Sequence, residues 1–315
     1  MKTKRELLMM GPMYPVTLHE LEETYVVHKL WLAADRDALL ASLADRIDAV
    51  ATSGTKGIDD ATMAKLPKLK MISHFGVGVD SIDTEAVKRR GIMLSNTPDV
   101  LTDDVADLAI GLLIAVSRKL VVGDRYVREG KWQPKGPMPL AESVQGKTLG
   151  IVGMGRIGRA IAKRGQAFNL EIAYQGPNKK TDVSWRYFAD PVALAKESDY
   201  LVAACPGGES TRNLVSRAVL EALGPKGVVV NISRGSVIDE VAMVELLQSG
   251  KLGGAGLDVF EHEPKVPEAL FAMDNVVLQP HVGSATHPTR RAMGQLQIDN
   301  LAAYFSGKPL VSRFC

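Results

Sequence analysis

The chain has 315 residues, 46% of them hydrophobic and 23% charged, with a net charge of +2. This is the composition of a globular protein of about two domains, and its near-neutral balance gives no footing for nucleic acid or an anionic membrane surface. The two cysteines, Cys205 and Cys315, have no metal-ligand spacing and fit a reducing compartment, so a cytoplasmic protein without a metal site is expected. The basic opening Met1-Lys-Thr-Lys-Arg is followed only by Leu7–Met10 before Gly11-Pro12. That is too short for a signal-peptide core and reads as a first strand. The longest apolar run, Leu108–Val116, falls far below the roughly 20 residues that span a bilayer.

In chain order, Leu39–Leu43 has helical spacing and Ala49–Ala51 reads as a short strand. Met71–Phe75 is a strand ending in Gly76-Val77-Gly78-Val79-Asp80. Thr84–Arg90 is a helix stopped by Gly91, and Met93–Ser95 is a strand. Asn96-Thr97-Pro98 breaks the pattern. Thr102–Arg118 then reads as a long, mostly buried helix capped by Thr102 or Asp103, and Val121–Glu129 continues helically to Gly130. Lys131–Val144 is loop-like.

Next comes the run Thr148–Val152, long enough for one buried strand, and Gly153, Gly155 and Gly158 in G-x-G-x-x-G, with Arg156 and Ile157 between the last two. Helical spacing follows over Arg159–Phe168. In this setting the first glycine permits the tight turn, the second lets a pyrophosphate approach the backbone, and the third lets helix and strand pack closely. The helix N-terminus then faces the phosphates. Leu170–Tyr174, Tyr200–Ala204, Val228–Ile232, Gly254–Asp258 and Val276–Leu278 are further short apolar runs, Val241–Leu247 being the clearest helix between them. They imply a parallel sheet covered on both faces. A last helical stretch, Arg290–Phe305, is too short for another domain and most simply folds back onto the first.

Ligands of doubly wound sheets bind beyond the carboxyl ends of the strands. Arg234, Glu263 and His281 all lie there. Arginine holds a carboxylate in two-pronged fashion, histidine gives or takes a proton near neutral pH, and a carboxylate beside it favours the imidazolium. The three together suit hydride chemistry on a 2-oxo acid.

With Val152-Gly-Met-Gly-Arg-Ile-Gly158, Asn231-Ile-Ser-Arg-Gly-Ser-Val-Ile-Asp239, Gly253-Gly-Ala-Gly-Leu-Asp-Val-Phe-Glu-His-Glu-Pro264 and Pro280-His-Val-Gly-Ser-Ala-Thr286, the sequence resembles the D-isomer-specific 2-hydroxyacid dehydrogenases along its whole length. Leu8-Met-Met-Gly-Pro-Met13, Arg128-Glu-Gly-Lys-Trp132, Ala204-Cys-Pro206 and Phe305-Ser-Gly-Lys-Pro-Leu310 bring it near the glyoxylate, hydroxypyruvate and hydroxyphenylpyruvate reductases. No regulatory domain like that of the usual phosphoglycerate dehydrogenases is expected, and Glu263 speaks against the formate dehydrogenase branch, where a glutamine pairs with the histidine. The resemblance implies an α/β protein of two Rossmann-like, doubly wound parallel-sheet domains. One is a discontinuous, flavodoxin-like substrate domain, 1–97 and 286–315; the other is a dinucleotide-binding domain, 98–285. It further implies that Arg234 anchors the substrate carboxylate, His281 is the acid/base and Glu263 supports His281. Val77, Gly78 and Val79 would offer backbone N–H groups to the same carboxylate, as a glycine-rich turn after a strand can. Thr102, Pro206 and Thr211 would line the cofactor, Asp258 and the Ile232 carbonyl would hold its nicotinamide amide, and Gly283 would lie beside it. The product would be the D-2-hydroxy acid and the assembly a homodimer.

NAD-preferring folds carry an acid about 20 residues beyond the fingerprint. Here Gln175-Gly-Pro-Asn-Lys-Lys180 has none, and Asn178 and Lys179 could meet a 2′-phosphate, so NADP(H) is expected over NAD(H). Pro177 stands where NADP-using relatives often have arginine. His74 reads as a structural histidine, His262 as exposed, and His287 as a neighbour of the site loop. Trp132 and Met138 read either as pocket-shaping or as covering a subunit contact. A competing class is a cofactor-sensing binding protein of the corepressor type; an NAD-linked dehydrogenase for another D-2-hydroxy acid is a third.

Overall fold

The computed structural model describes residues 4–315; the first three residues of the basic opening lie outside the described residues. The chain divides into two compact units, one of the residues up to Leu101 together with Ala285–Cys315, the other Thr102–Ser284. The limits read from the sequence, 97/98 and 285/286, fall just outside the second unit.

The first unit opens with β1 (Glu6–Met9), α1 (Pro15–Thr24), β2 (Val26–Lys29), α2 (Arg36–Leu43), β3 (Ala49–Ser53), α3 (Asp60–Ala64), β4 (Met71–Phe75), α4 (Thr84–Arg89) and β5 (Met93–Ser95). Its sheet is all parallel in the order β2-β1-β3-β4-β5, the flavodoxin-like order. Strand residues alternate between two cores, as a pleat requires. Leu8, Val50, Ile72 and Leu94 face one, while Leu7, Met9, Ala49, Ala51 and Met71 face the other. Asp35, Asp59 and Asp83 cap α2, α3 and α4 by accepting from backbone N–H groups one turn in. The sequence reading gave no elements between residues 11 and 38. The reason is local: Thr17 and Leu21 are the buried residues of α1, and β2 is a partly exposed edge strand, so neither shows a strong apolar period.

The second unit holds α5 (Thr102–Ser117), α6 (Leu120–Arg128), α7 (Trp132–Lys135), β6 (Thr148–Val152), α8 (Arg156–Ala167), β7 (Glu171–Gln175), β8 (Arg186–Phe188), α9 (Pro191–Lys196), β9 (Tyr200–Ala203), α10 (Arg217–Leu223), β10 (Val228–Asn231), α11 (Glu240–Gln248), β11 (Gly254–Leu257) and β12 (Val276–Leu278). Seven parallel strands run β12-β11-β10-β9-β6-β7-β8, the dinucleotide-fold order extended by one strand. The order reverses between β6 and β9, which opens the crevice where such sheets bind ligands. Two details differ from the sequence reading. Thr102 lies inside α5 and does not cap it. The helical pattern past Ser117 is a separate helix, because Lys119 takes a left-handed conformation (φ 53°) that an α-helix cannot absorb.

The last helix, α12 (His287–Phe305), belongs to the first unit. Its buried Gln297 donates to the carbonyls of Thr52 (3.2 Å) and Ser73 (2.8 Å), within β3 and β4. Residues 312–315 then pair antiparallel along the free edge of β5.

Candidate active site

In the second unit the fingerprint glycines have the surroundings their spacing demands. Gly153 has φ 102°, and a Cβ there would stand 2.6 Å from the Cys205 nitrogen. A Cβ on Gly158 would stand 2.1 Å from the Gly153 oxygen, so only glycine lets α8 pack against the turn. Gly155 is the residue before α8; it makes no side-chain cap, and a Cβ on it would meet no atom within 4 Å. The first N–H groups of α8 therefore open into space beside Gly155, a cradle of the shape and polarity that a dinucleotide pyrophosphate fits.

Arg234 follows β10 and is shaped by its neighbours. Asn231, 1% exposed, donates from its amide nitrogen to the Arg234 carbonyl (2.9 Å) and accepts the Ser233 N–H (3.0 Å). The Ser233 hydroxyl donates to the Cys205 carbonyl, tying this loop to the one after β9. The aliphatic stem of Arg234 lies over Gly207, where a Cβ would stand 2.5 Å from its Cγ. Gly235 touches backbone: a Cβ there would be 1.9 Å from the Phe260 carbonyl carbon. That contact draws the arginine loop against the loop that carries Glu263.

His281 follows β12 with φ 55°, a left-handed conformation uncommon for histidine. Asp258, 2% exposed at the end of β11, imposes it. Its carbonyl accepts the His281 N–H (2.8 Å), and its two carboxylate oxygens accept the N–H groups of Val282 (2.7 Å) and Gly283 (2.8 Å). Burial raises the Asp258 carboxyl above its ordinary range against the opposing effect of those two donors. The imidazole Nδ1 then lies 2.8 Å from Glu263 Oε2, while Glu263 Oε1 accepts the Phe260 N–H (3.2 Å). Burial would push the Glu263 carboxyl up. The hydrogen bond and charge of His281, the Phe260 N–H and the charge of Arg234 outweigh it and hold the carboxyl below its usual range. An anionic Glu263 fixes the ring with Nδ1 inward and leaves Nε2 as the proton-transfer atom.

The other residues singled out by sequence divide. Pro206 and Thr211 form one turn, in which the Thr211 hydroxyl lies 2.7 Å from the Pro206 carbonyl and 3.1 Å from that of Gly208. Ile232 is buried at 8% exposed. Past β7, Gln175 turns its amide to the Ala189 carbonyl (3.4 Å), and Asn178 and Lys179 are exposed. Farther along the same loop, Asp182 is paired with Arg159 of α8 at 2.9 Å. The sequence reading also passed over Asn231 and Ser233. An asparagine at the end of a strand, two residues before a serine N–H, is the signal that could have found the first.

In the first unit, Val77, Gly78 and Val79 form the turn after β4. Their N–H groups donate to no backbone carbonyl among the described residues. The turn is held from behind: Asn96 donates to the Val77 carbonyl (2.9 Å), buried His74 to the Gly78 carbonyl (2.9 Å), and the Thr97 hydroxyl accepts the Gly76 N–H (3.0 Å).

A reversal point carrying a glycine fingerprint, with a histidine–carboxylate pair and an arginine beyond neighbouring strands, defines a nucleotide-dependent oxidoreductase of 2-hydroxy acids. Residues 110–283 match the NAD-binding domain of the D-isomer specific 2-hydroxyacid dehydrogenases, and the chain belongs to that family. It is 49% identical over 306 residues to a glyoxylate/hydroxypyruvate reductase A of Arabidopsis thaliana, covering 97% of each chain. It is 47% identical, over the same share, to a hydroxyphenylpyruvate reductase of Plectranthus scutellarioides. Among solved structures, an NADPH-dependent glyoxylate/hydroxypyruvate reductase of Sinorhizobium meliloti, in complex with NADP and malonate, superposes with a TM-score of 0.92 at 40% identity, over 99% of this chain and 97% of that one. No described helix is long and apolar enough to cross a membrane.

Proposed function

We propose that this enzyme reduces a small 2-oxo acid, of the glyoxylate, hydroxypyruvate or aryl-pyruvate kind, to the D-2-hydroxy acid with NADPH. The observation that carries the reading is the His281–Glu263 pair, built on the Asp258 clip and joined to Arg234 through the Gly235 contact. A reduced nicotinamide, when bound, supplies the hydride to the 2-oxo carbon. Arg234 and the N–H groups of Val77, Gly78 and Val79 hold the substrate carboxylate. His281 gives a proton from Nε2 to the carbonyl oxygen as negative charge develops there, and Glu263 stabilises the imidazolium beforehand. Gly153, Gly155, Arg156, Ile157 and Gly158 would hold the pyrophosphate; Thr102, Pro206, Thr211 and Gly283 would line the cofactor, and Asp258 and the Ile232 carbonyl would hold its nicotinamide amide.

Preference for NADPH rests on the absence of an acid at the end of β7, on exposed Asn178 and Lys179, and on the NADPH dependence of the Sinorhizobium relative. A homodimer is supported by exposed Leu120, Val121 and Val127 on or beside α6, with Trp132 and Leu140 following, an apolar strip that a second copy would cover. Two free cysteines, one of them buried, agree with a cytoplasmic setting.

The test is NADPH oxidation over glyoxylate, hydroxypyruvate, pyruvate, phenylpyruvate, 4-hydroxyphenylpyruvate and 2-ketogluconate, with NADH in parallel and the product resolved by chirality. Turnover to a D product with NADPH favoured is expected. An L product, equal kcat/KM with NADH, or silence on all six would overturn the stereochemistry, the cofactor or the reaction respectively.

A further inference from the structure

Three consecutive carbonyls of the turn after β4 are each taken up from the side of their own unit. The Gly76 carbonyl accepts the Thr97 N–H (2.9 Å), the Val77 carbonyl the Asn96 amide (2.9 Å) and the Gly78 carbonyl the His74 Nε2 (2.9 Å). A trans peptide is planar and carries its C=O and N–H on opposite sides. Drawing in the carbonyls of residues 76, 77 and 78 therefore turns the N–H groups of Val77, Gly78 and Val79 the other way, as one row of donors. His74 sets the last of the three. It is 0% exposed, and its Nδ1 lies 2.8 Å from the Thr52 hydroxyl, itself buried on β3. A carbonyl can only accept, so Nε2 carries a proton; in the neutral ring Nδ1 accepts from Thr52. The Thr52 carbonyl is in turn fixed by Gln297 of α12. The ring is a rigid strut from a sheet hydroxyl to the Gly78 carbonyl, with Gly76 packed so closely that a Cβ on it would stand 2.9 Å from Nε2.

We infer that His74 is a positioning residue for substrate, which aims the Val79 N–H at the substrate carboxylate by anchoring the Gly78 carbonyl. This rests on the reading that the 77–79 turn holds that carboxylate. Histidine here does no proton transfer; it fixes a backbone donor that a flexible turn would otherwise point at random.

The test uses the full-length enzyme with glyoxylate and saturating NADPH. Glutamine reaches as far as the imidazole Nε2 and can still donate to Gly78, whereas asparagine reaches only the Nδ1 position and can satisfy Thr52 alone. His74→Asn and His74→Phe should raise KM for glyoxylate about tenfold, equivalent to ~1.4 kcal/mol, with kcat within about threefold and NADPH affinity unchanged, and His74→Gln should restore most of the loss. Val79→Pro, which deletes the N–H itself, separates the two layers. A raised KM in Val79→Pro with normal KM in His74→Phe would leave the carboxylate turn standing and overturn the role of His74. Normal KM in both would overturn the turn and, with it, the inference. Equal KM in the Gln and Asn variants would also overturn it, because a merely structural histidine does not distinguish them.

Discussion

The turn after β4 and the loops after β10, β11 and β12 present different kinds of polar group by similar means. The later loops expose ionisable side chains, Arg234, Glu263 and His281, on backbone that the side chains of Asn231 and Asp258 clip in place. The turn after β4 exposes backbone N–H groups and holds them with buried side chains, His74 and Asn96. In one region side chains are presented and in the other backbone donors; in both, buried polar side chains fix the backbone that presents them. Side-chain charges confer proton chemistry and can be deleted singly. Backbone donors bring no titration, and their placement depends on residues that never reach the substrate.

The largest expected effect breaks the first arrangement. His281→Ala should lower kcat by roughly 10²–10⁴-fold while NADPH binding, followed by fluorescence titration, survives; full turnover would remove His281 from the chemistry. Arg234→Lys keeps a charge but loses the planar fork. Its kcat/KM should fall by about 10–100-fold, mostly through KM, the size of one charge-assisted hydrogen bond of ~1.5–3 kcal/mol.

Gly235→Ala tests whether the arginine and glutamate loops must touch. A Cβ 1.9 Å from the Phe260 carbonyl carbon forces them apart, so a loss of about 1–3 kcal/mol, read as a lower Tm, should accompany a fall in kcat/KM. Unchanged activity would show that the contact is dispensable.

Glu263→Gln keeps a hydrogen-bond acceptor for the ring but removes the anion beside it, so kcat for reduction should fall; undiminished turnover would contradict the pairing. The native carboxyl is held below its ordinary value, so its contribution to stability is present above about pH 4.3 and is lost as pH falls through the lower folded value. The variant should lack that acid-side loss.

The smallest effect concerns Cys205, whose thiol is pushed up to about 11, first by burial. At pH 8 a disulfide reagent should leave it untouched until the chain unfolds; prompt labelling in the native state would show that the loops around Ser233 open.

Much of the site was legible before the fold. Gly153, Gly155 and Gly158 advertise themselves by spacing between a strand and a helix. Arg234, Glu263 and His281 stand out because each lies just past an apolar run. The elements that escaped, α1, β2 and α3 among them, have thin apolar patterns because they are short or lie at an edge.

By itself the sequence determined the buried strands, the fingerprint and the chemistry-bearing residues, because apolar runs and glycine turns act within a few residues of the chain. Only the tertiary structure decided what holds those residues in place. The Asp258 clip spans 24 residues to Val282 and the Thr52–His74 bond spans 22. Arg159 and Asp182 meet across 23, tying the loop past β7 to α8. Such contacts follow from which strands lie side by side, and a periodicity read along the chain carries no record of that.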